Sequence, residues 1–195
     1  LSVNPEKEII AFDVCPANRV LNMLANEKGF PFDENGKLSS QGRIHEELLK
    51  KLGMPEYYRI TYPKSLANNF GTETVYPIIN SYSIPPEDKL RTYTEHIAIQ
   101  IKNSLQPFSR EIPQKIFITG GGAFNSFLIE RIRENLRDIH FEIFIPDEKV
   151  VSYKEALIMA LLGALRWREQ YTVLASVTGA SRNSIGGALW LGTEA

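Results

Sequence analysis

The stretch KIFITGGGAFNSFLIERI, residues 115–132, places three consecutive glycines between two strongly patterned segments. The apolar run before the glycines predicts a β-strand, and the amphipathic segment over 125–137 predicts an α-helix. A second apolar run, FEIFI at 141–145, and a mostly apolar segment at 152–169 follow in the chain. This alternation of strands and helices predicts a parallel α/β unit, with its last helix buried on more than one side.

The three glycines, Gly120, Gly121 and Gly122, lie where the first predicted strand ends. Ligands of open α/β sheets bind beyond the carboxyl ends of the strands, and a helix that begins there offers N–H groups to a phosphate. A tight turn that needs positive φ angles explains the glycines equally well. The spacing matches neither G-x-G-x-x-G nor the P-loop, and Asn125 is a residue type that often caps a helix.

The chain before residue 115 predicts mostly helices. A short apolar run, EIIAF at 8–12, predicts a strand that ends at Asp13. Helical spacing predicts further helices over 19–29, 39–53, about 68–80 and 86–106. The longest of these helices carries one apolar stripe, which we interpret as core rather than as a dimer surface: Leu90, Tyr93, Ile97, Ile101 and Leu105.

Two carboxylates are candidates for chemistry, and each also has a structural explanation. Asp13 ends a predicted strand, as many catalytic bases do, but a loop Asp or an Asx turn explains it as well. Glu155 completes SYKE at 152–155, which matches a capping box with Ser152 at the N-cap. The three histidines have no shared metal-ligand spacing, so they indicate surface or packing positions.

Composition excludes several classes of protein. The 195 residues are 43% hydrophobic and 23% charged, which is typical of a soluble globular protein. A formal net charge of −1 gives no reason to expect nucleic-acid or membrane binding. The single cysteine, Cys15, excludes an intrachain disulfide and fits a reducing compartment. No apolar run approaches the roughly 20 residues of a membrane span.

Five motifs follow one another in an order that resembles the 1,6-anhydro-N-acetylmuramic acid kinases: FDVCPAN (12–18), YPKSL (62–66), TGGGAFN (119–125), KEALIMALLGALRWR (154–168) and SVTGAS (176–181). The resemblance spans nearly the whole chain and corresponds to the C-terminal half of such a kinase. It implies an α/β protein with the ribonuclease H-like fold of the actin, sugar-kinase and heat-shock chaperone ATPases. Residues 1–195 would then form the C-terminal lobe, a mixed sheet with flanking helices.

The family's reaction, as the resemblance implies it, opens the 1,6-anhydro bridge of the sugar with water and phosphorylates the freed O6 from ATP. ATP and Mg²⁺ are the implied cofactors, and the product is N-acetylmuramic acid 6-phosphate. The positions that carry over are Asp13 as the catalytic base, Glu155 and Asn18 toward the sugar, and Gly120, Gly121, Gly122 and Asn125 toward the nucleotide.

The family's N-terminal lobe, with its phosphate loop, has no counterpart in these residues. We therefore expect this chain to be inactive unless it is joined to that lobe. The resemblance also implies a cytoplasmic homodimer that binds a sugar and ATP, with no nucleic-acid or membrane partner.

The sequence also departs from the family's pattern. The loop after Asp13 replaces the usual Thr and two Gly residues with Val14, Cys15 and Ala17, and Asn22, Ala67 and Asn69 also differ from the common residues. These changes keep open a non-catalytic module that binds a sugar or nucleotide. A dinucleotide-binding domain, with Glu142 holding a ribose, is a weaker alternative because the glycine spacing does not fit.

Overall fold

Helices surround two small sheets in the computed structural model, which describes residues 1–4, 8–190 and 192. The strands within these residues are β1 (Ser2–Val3), β2 (Ile10–Ala11), β3 (Gln114–Phe117) and β4 (Phe141–Phe144). The α-helices are α1 (Asn18–Asn26), α2 (Glu46–Leu52), α3 (Tyr76–Asn80), α4 (Pro86–Leu105), α5 (Ser126–Leu136), α6 (Glu148–Trp167) and α7 (Ala175–Thr178). A π-helical segment, Phe70–Val75, leads into α3. The chain is therefore a mixed α/β protein.

Helix α4 is the centre of the hydrophobic core. Its predicted apolar stripe faces inward, and Leu90 and Tyr93 have no exposed surface. Helices α1, α2 and α5 pack around it. Leu24 of α1 and Leu48 of α2 are also fully buried in the same cluster. The interpretation of the stripe as core is confirmed.

An ion-pair network fixes α5 against α4. The Glu95 carboxylate accepts hydrogen bonds from Arg131 Nε at 2.8 Å, Arg91 Nη1 at 2.8 Å and Asn135 Nδ2 at 2.9 Å. Burial alone raises the pKa of Glu95, but the hydrogen bonds outweigh it and hold the pKa below its usual range. Because α5 begins directly after the glycines, this network also positions the glycine turn.

Strands β3 and β4 pair in parallel, with Gln114 opposite Phe141 and Phe117 opposite Phe144. This pairing confirms the predicted parallel α/β unit. β1 and β2 pair antiparallel in a separate sheet. A single mixed sheet is therefore not formed within the described residues, because β2 has only two residues and pairs with β1.

Helix α6 differs from its prediction in two ways. It begins at Glu148, and Asp147 caps it by accepting a hydrogen bond from Val150 N at 2.9 Å. The predicted capping box is therefore wrong, since Ser152 already lies inside the helix. The predicted burial is also wrong, because only Val151 is buried among the residues of α6.

The predicted helix over 39–53 is shorter than expected. It consists of a 3-10 turn at Ser39–Gln41 and, after a break, α2. The chain passes so close to the Glu87 carbonyl at Gly42 that any side chain there would collide with it. His45 then starts α2 by accepting a hydrogen bond from Leu48 N at 3.2 Å. A contact distant in sequence thus interrupts the helical pattern.

No helix within residues 1–4, 8–190 and 192 is both long enough and apolar enough to cross a membrane.

Candidate active site

Asp13 lies two residues after β2 and is exposed to solvent. Its Oδ2 atom accepts hydrogen bonds from Leu66 N at 2.8 Å and from Ser65 Oγ at 3.1 Å. The Tyr57 hydroxyl donates to the Asp13 backbone carbonyl at 2.6 Å. Segment 57–66 therefore fixes the orientation of this carboxylate while it stays accessible to a ligand. The partners Tyr57, Ser65 and Leu66 were not predicted, although YPKSL was recognised as a motif.

The loop after Asp13 is hydrogen-bonded to the central helix of the hydrophobic core. Tyr93 of α4 donates a hydrogen bond to the Pro16 carbonyl at 2.6 Å. Burial raises the pKa of Tyr93 well above its ordinary value, so its hydroxyl remains a donor. Gly71 of the π-helical segment touches the loop directly, since a Cβ there would meet Pro16 Cβ at 3.2 Å. The loop is thus held by contacts that a sequence pattern does not reveal.

The residues that replace the family's glycines fit this loop. Ala17 has φ −126°, and the described non-glycine residues with positive φ are Asn35, His140 and Glu169. Neither Cys15 nor Ala17 therefore adopts a conformation that requires glycine. Burial raises the pKa of the Cys15 thiol to about 12, so this cysteine is a neutral packing residue rather than a nucleophile.

The local geometry differs among the three glycines of the glycine turn. Gly120 has φ 81° and ψ 178°, a conformation essentially restricted to glycine. A Cβ on Gly121 would meet Asn18 Nδ2 at 3.1 Å, a tight contact. A Cβ on Gly122 would have only ordinary contacts, the nearest with Asn18 Oδ1 at 3.5 Å. The tight-turn explanation, which needs a positive φ angle, therefore accounts for Gly120. The close approach of the Asn18 side chain favours glycine at position 121, and neither reason applies to Gly122.

Asn125 caps α5, because its Oδ1 atom accepts a hydrogen bond from Leu128 N at 3.0 Å. The predicted capping role is confirmed. Asn125 also lines a cleft of about 460 Å³ together with Asn18, Asn22, Asn35, Gly121 and Phe124. The cleft is rich in side-chain amides, which can both donate to and accept from a polar ligand. The glycine turn forms part of its wall.

Residues 32–35 also line the cleft, and they belong to the loop at residues 32–39. Asp33 is buried and accepts hydrogen bonds from Leu38 N at 2.8 Å and Ser39 N at 3.0 Å. Gly36 has φ 72°, and a Cβ there would collide with Phe127 at the start of α5. The loop therefore rests directly on the first turn of α5. The Asn-Gly pair signals a turn, but nothing in the sequence signals this docking.

The structure brings Asn18, Gly121, Gly122 and Asn125 together, whereas Asp13 does not line the cleft. Asn18 begins α1 five residues after Asp13, and its side chain lies against Gly121 and Gly122. Asn18 thus links the Asp13 loop to the glycine turn.

Two further candidates lie elsewhere. Glu155 is exposed on α6 and does not line the cleft. Glu142 lies in the middle of β4 rather than at its end, so the dinucleotide interpretation lacks the acidic residue that it requires.

Comparison with known proteins gives a consistent result. The sequence model of the family described as anhydro-N-acetylmuramic acid kinase matches residues 1–192. A kinase of that name from Gloeobacter violaceus is 31% identical over 181 residues, which cover 90% of this chain and 47% of the relative. The Idiomarina loihiensis kinase is 30% identical over 183 residues, covering 92% and 49%. The Haemophilus influenzae kinase is 27% identical over 189 residues, covering 90% and 50%.

The chain spans about half the length of the curated relatives that it matches. The match to the family model nevertheless includes nearly every residue of this chain, and the five motifs on which the resemblance rests lie inside it. The chain belongs to the anhydro-N-acetylmuramic acid kinase family.

Proposed function

We propose that this chain is the C-terminal lobe of an ATP-dependent kinase that acts on 1,6-anhydro-N-acetylmuramic acid. The observation that carries the proposal is the contact of Asn18 with Gly121 and Gly122, since it joins the Asp13 loop to the glycine turn. A sugar beside Asp13 and a nucleotide at the turn would then be neighbours on one rigid piece of protein. The actin-like ATPase fold of this lobe is part of the proposal.

Asp13 acts as the general base in this proposal. Water attacks C1 of the sugar and gives a proton to the Asp13 carboxylate, while the bond from C1 to O6 breaks. The freed O6 attacks the γ-phosphorus of ATP, a new O6–P bond forms, and ADP leaves. Ser65 and Leu66 support this role because their hydrogen bonds hold the carboxylate in place. Asn18 and Glu155 are proposed to bind sugar hydroxyls.

The glycine turn and Asn125 are proposed to contact the nucleotide. Gly122 supports this role because its described contacts leave room for a side chain, so they do not explain the glycine. A phosphate that lies against the backbone would require a glycine at this position. The amide-rich cleft adjoining the turn offers hydrogen bonds to the rest of the nucleotide.

Mg²⁺ enters this proposal together with the nucleotide. The described part of the chain contains no group of three or more His, Cys, Asp or Glu side chains suited to a metal. Mg²⁺ commonly binds through substrate phosphates with few protein ligands. We therefore assign no residue of this chain to the ion, which would neutralise phosphate charge when bound with ATP.

The remaining half of the kinase, with its phosphate loop, is proposed as an obligatory partner. The relatives are about twice as long as the matched region, and a kinase cleft needs groups on both sides of the transferred phosphoryl. We expect the complete protein to be a cytoplasmic homodimer.

The test is ATP turnover by the complete protein with anhydro-N-acetylmuramic acid, following ADP and the 6-phosphate product. We expect Asp13→Asn to lower turnover by about 10²- to 10⁴-fold. Asp138→Asn is the matched control, since Asp138 is an exposed carboxylate that bonds Lys102 outside the site, and its turnover should equal wild type. These 195 residues alone should show no turnover. Full activity of Asp13→Asn would refute the proposed base.

A non-catalytic sugar- or nucleotide-binding module is the second candidate. The replaced residues around Asp13, including the partly buried Cys15, favour it. Calorimetry of the complete protein with ATP and with the sugar distinguishes the two candidates. Binding of either ligand without any product would favour the module over the kinase.

A further inference from the structure

The outer face of the β3–β4 sheet is open to solvent and carries Phe117 and Phe144 beside the exposed charged pair Lys115 and Glu142. The inner face packs on the core through Ile116 and Ile143. On the outer face the rings of Phe117 and Phe144 stack on each other, with centroids 5.7 Å apart, and they are 55% and 50% exposed. Parallel sheets occur almost only with both faces covered. This pair of strands therefore has one covered face and one that lacks its cover.

The carboxyl ends of the two strands agree with a sheet that is buried on both sides. After the charged residues Lys115 and Glu142, the chain reads Ile116, Phe117, Ile118 and Ile143, Phe144, Ile145, with Ile118 and Ile145 just beyond the strands. Strands with one solvated face alternate, whereas strands covered on both faces read as continuous apolar runs.

Helix α6 carries a second exposed apolar surface. Residues 156–162 read ALIMALL, and Leu157, Met159 and Leu161 are each more than half exposed. A helix that is apolar all round is normally buried. Tyr153, one turn before Leu157, is 68% exposed. The exposed apolar side chains of the sheet and of α6 are here called the open face: Phe117, Phe144, Tyr153, Leu157, Met159 and Leu161. Exposed apolar residues grouped in this way mark an interaction surface more often than singly scattered ones do.

We propose that the open face is the surface on which the other half of this kinase packs, completing the β3–β4 sheet and burying α6. The inference rests on that part of the proposed function which assigns a second half to the protein, and not on the reaction. The choice of occupant follows from length: the matched relatives contain about as much chain again outside the matched region. A second copy of this chain is the competing occupant.

The experiment co-expresses this chain, carrying an affinity tag, with the unmatched half of the Gloeobacter violaceus relative. The molar mass of the purified material is measured by light scattering after size-exclusion chromatography. We expect a one-to-one complex, and hydrogen exchange in residues 141–162 that is slower than in the chain purified alone. Phe144→Lys and Leu157→Lys should each weaken the complex at least tenfold, because a charge would be buried in an apolar interface.

Ile60→Lys is the matched control, since Ile60 is a 48% exposed apolar residue outside the open face, and its complex should equal that of wild type. Circular dichroism of each variant alone verifies its fold. Three results would overturn the inference: no association, association that neither open-face variant weakens, or a homodimer of this chain that both variants dissociate. Assembly without ATP turnover would leave this inference standing and count only against the proposed reaction.

Discussion

Helices α4 and α6 are both 20 residues long, but the helix with the longer continuous apolar run is the less buried of the two. α4 contains many polar residues and buries Thr92, Glu95, His96 and Gln100. α6 contains the run ALIMALL, and Val151 is its one buried residue within the described part of the chain.

The difference teaches that available partners, rather than composition, decide burial. Every fully buried side-chain nitrogen or oxygen atom of α4 has a hydrogen bond within the described residues, whereas most apolar groups of α6 are exposed to solvent.

The sharpest test of this comparison exchanges one leucine in each helix for alanine. Leu90→Ala on α4 should lower the free energy of unfolding by about 2–5 kcal/mol, because it leaves a cavity in the core. Leu157→Ala on α6 should change it by less than about 0.5 kcal/mol, since Leu157 is 68% exposed. Urea unfolding of both variants measures the difference. Equal losses would mean that α6 is packed in solution.

A second test uses the buried histidine of α4. Burial lowers the pKa of His96 to about 4, and the ring nitrogen pairs with the Tyr58 hydroxyl at 3.2 Å. The unfolded chain, with an ordinary pKa near 6.5, takes up a proton first as the pH falls. Stability should therefore drop from pH 7 to pH 5.5 by about 1 kcal/mol from this group.

Urea unfolding at both pH values should show a smaller pH dependence in His96→Phe than in the wild-type chain. The same pH dependence in both proteins would contradict the assignment to His96.

The smallest expected effect concerns Gly163 inside α6. A Cβ there would meet no atom within 4 Å, and glycine is a poor helix former. Gly163→Ala should therefore stabilise this chain by about 0.5–1 kcal/mol, measured by urea unfolding. If the same substitution weakens the complex with the second half, α6 becomes closely packed on assembly. A loss of stability in the chain alone would show that this position is already crowded.

The hydrophobic periodicity correctly predicted the helices and strands whose packing partners lie within this chain. The apolar stripe of α4 and the strand–helix–strand order around the glycines have the expected positions. The start of α6 was missed because SYKE imitates a cap, while Asp147, placed further upstream, is the residue that caps the helix. Spacing alone cannot distinguish the two candidate caps.

The candidate site was only partly predictable, for a related reason. Asp13 and the glycines stand out in the sequence because they follow apolar runs. Their partners are distant in the chain: Leu66 is 53 residues from Asp13, and Tyr93 is 77 residues from Pro16. Such contacts depend on tertiary packing, which single-sequence patterns do not contain. The docking of Gly36 on Phe127 is a third case.

The contact of Asn18 with the glycine turn has a consequence for motion. Because Asn18 starts α1 and Tyr93 anchors the preceding loop to α4, Asp13 and Gly121 belong to the same rigid body. Any hinge between the two halves of a complete kinase would carry both groups together, so closing the hinge would expel solvent without altering their separation. The spacing between Asp13 and the glycine turn would thus be set when this part of the chain folds.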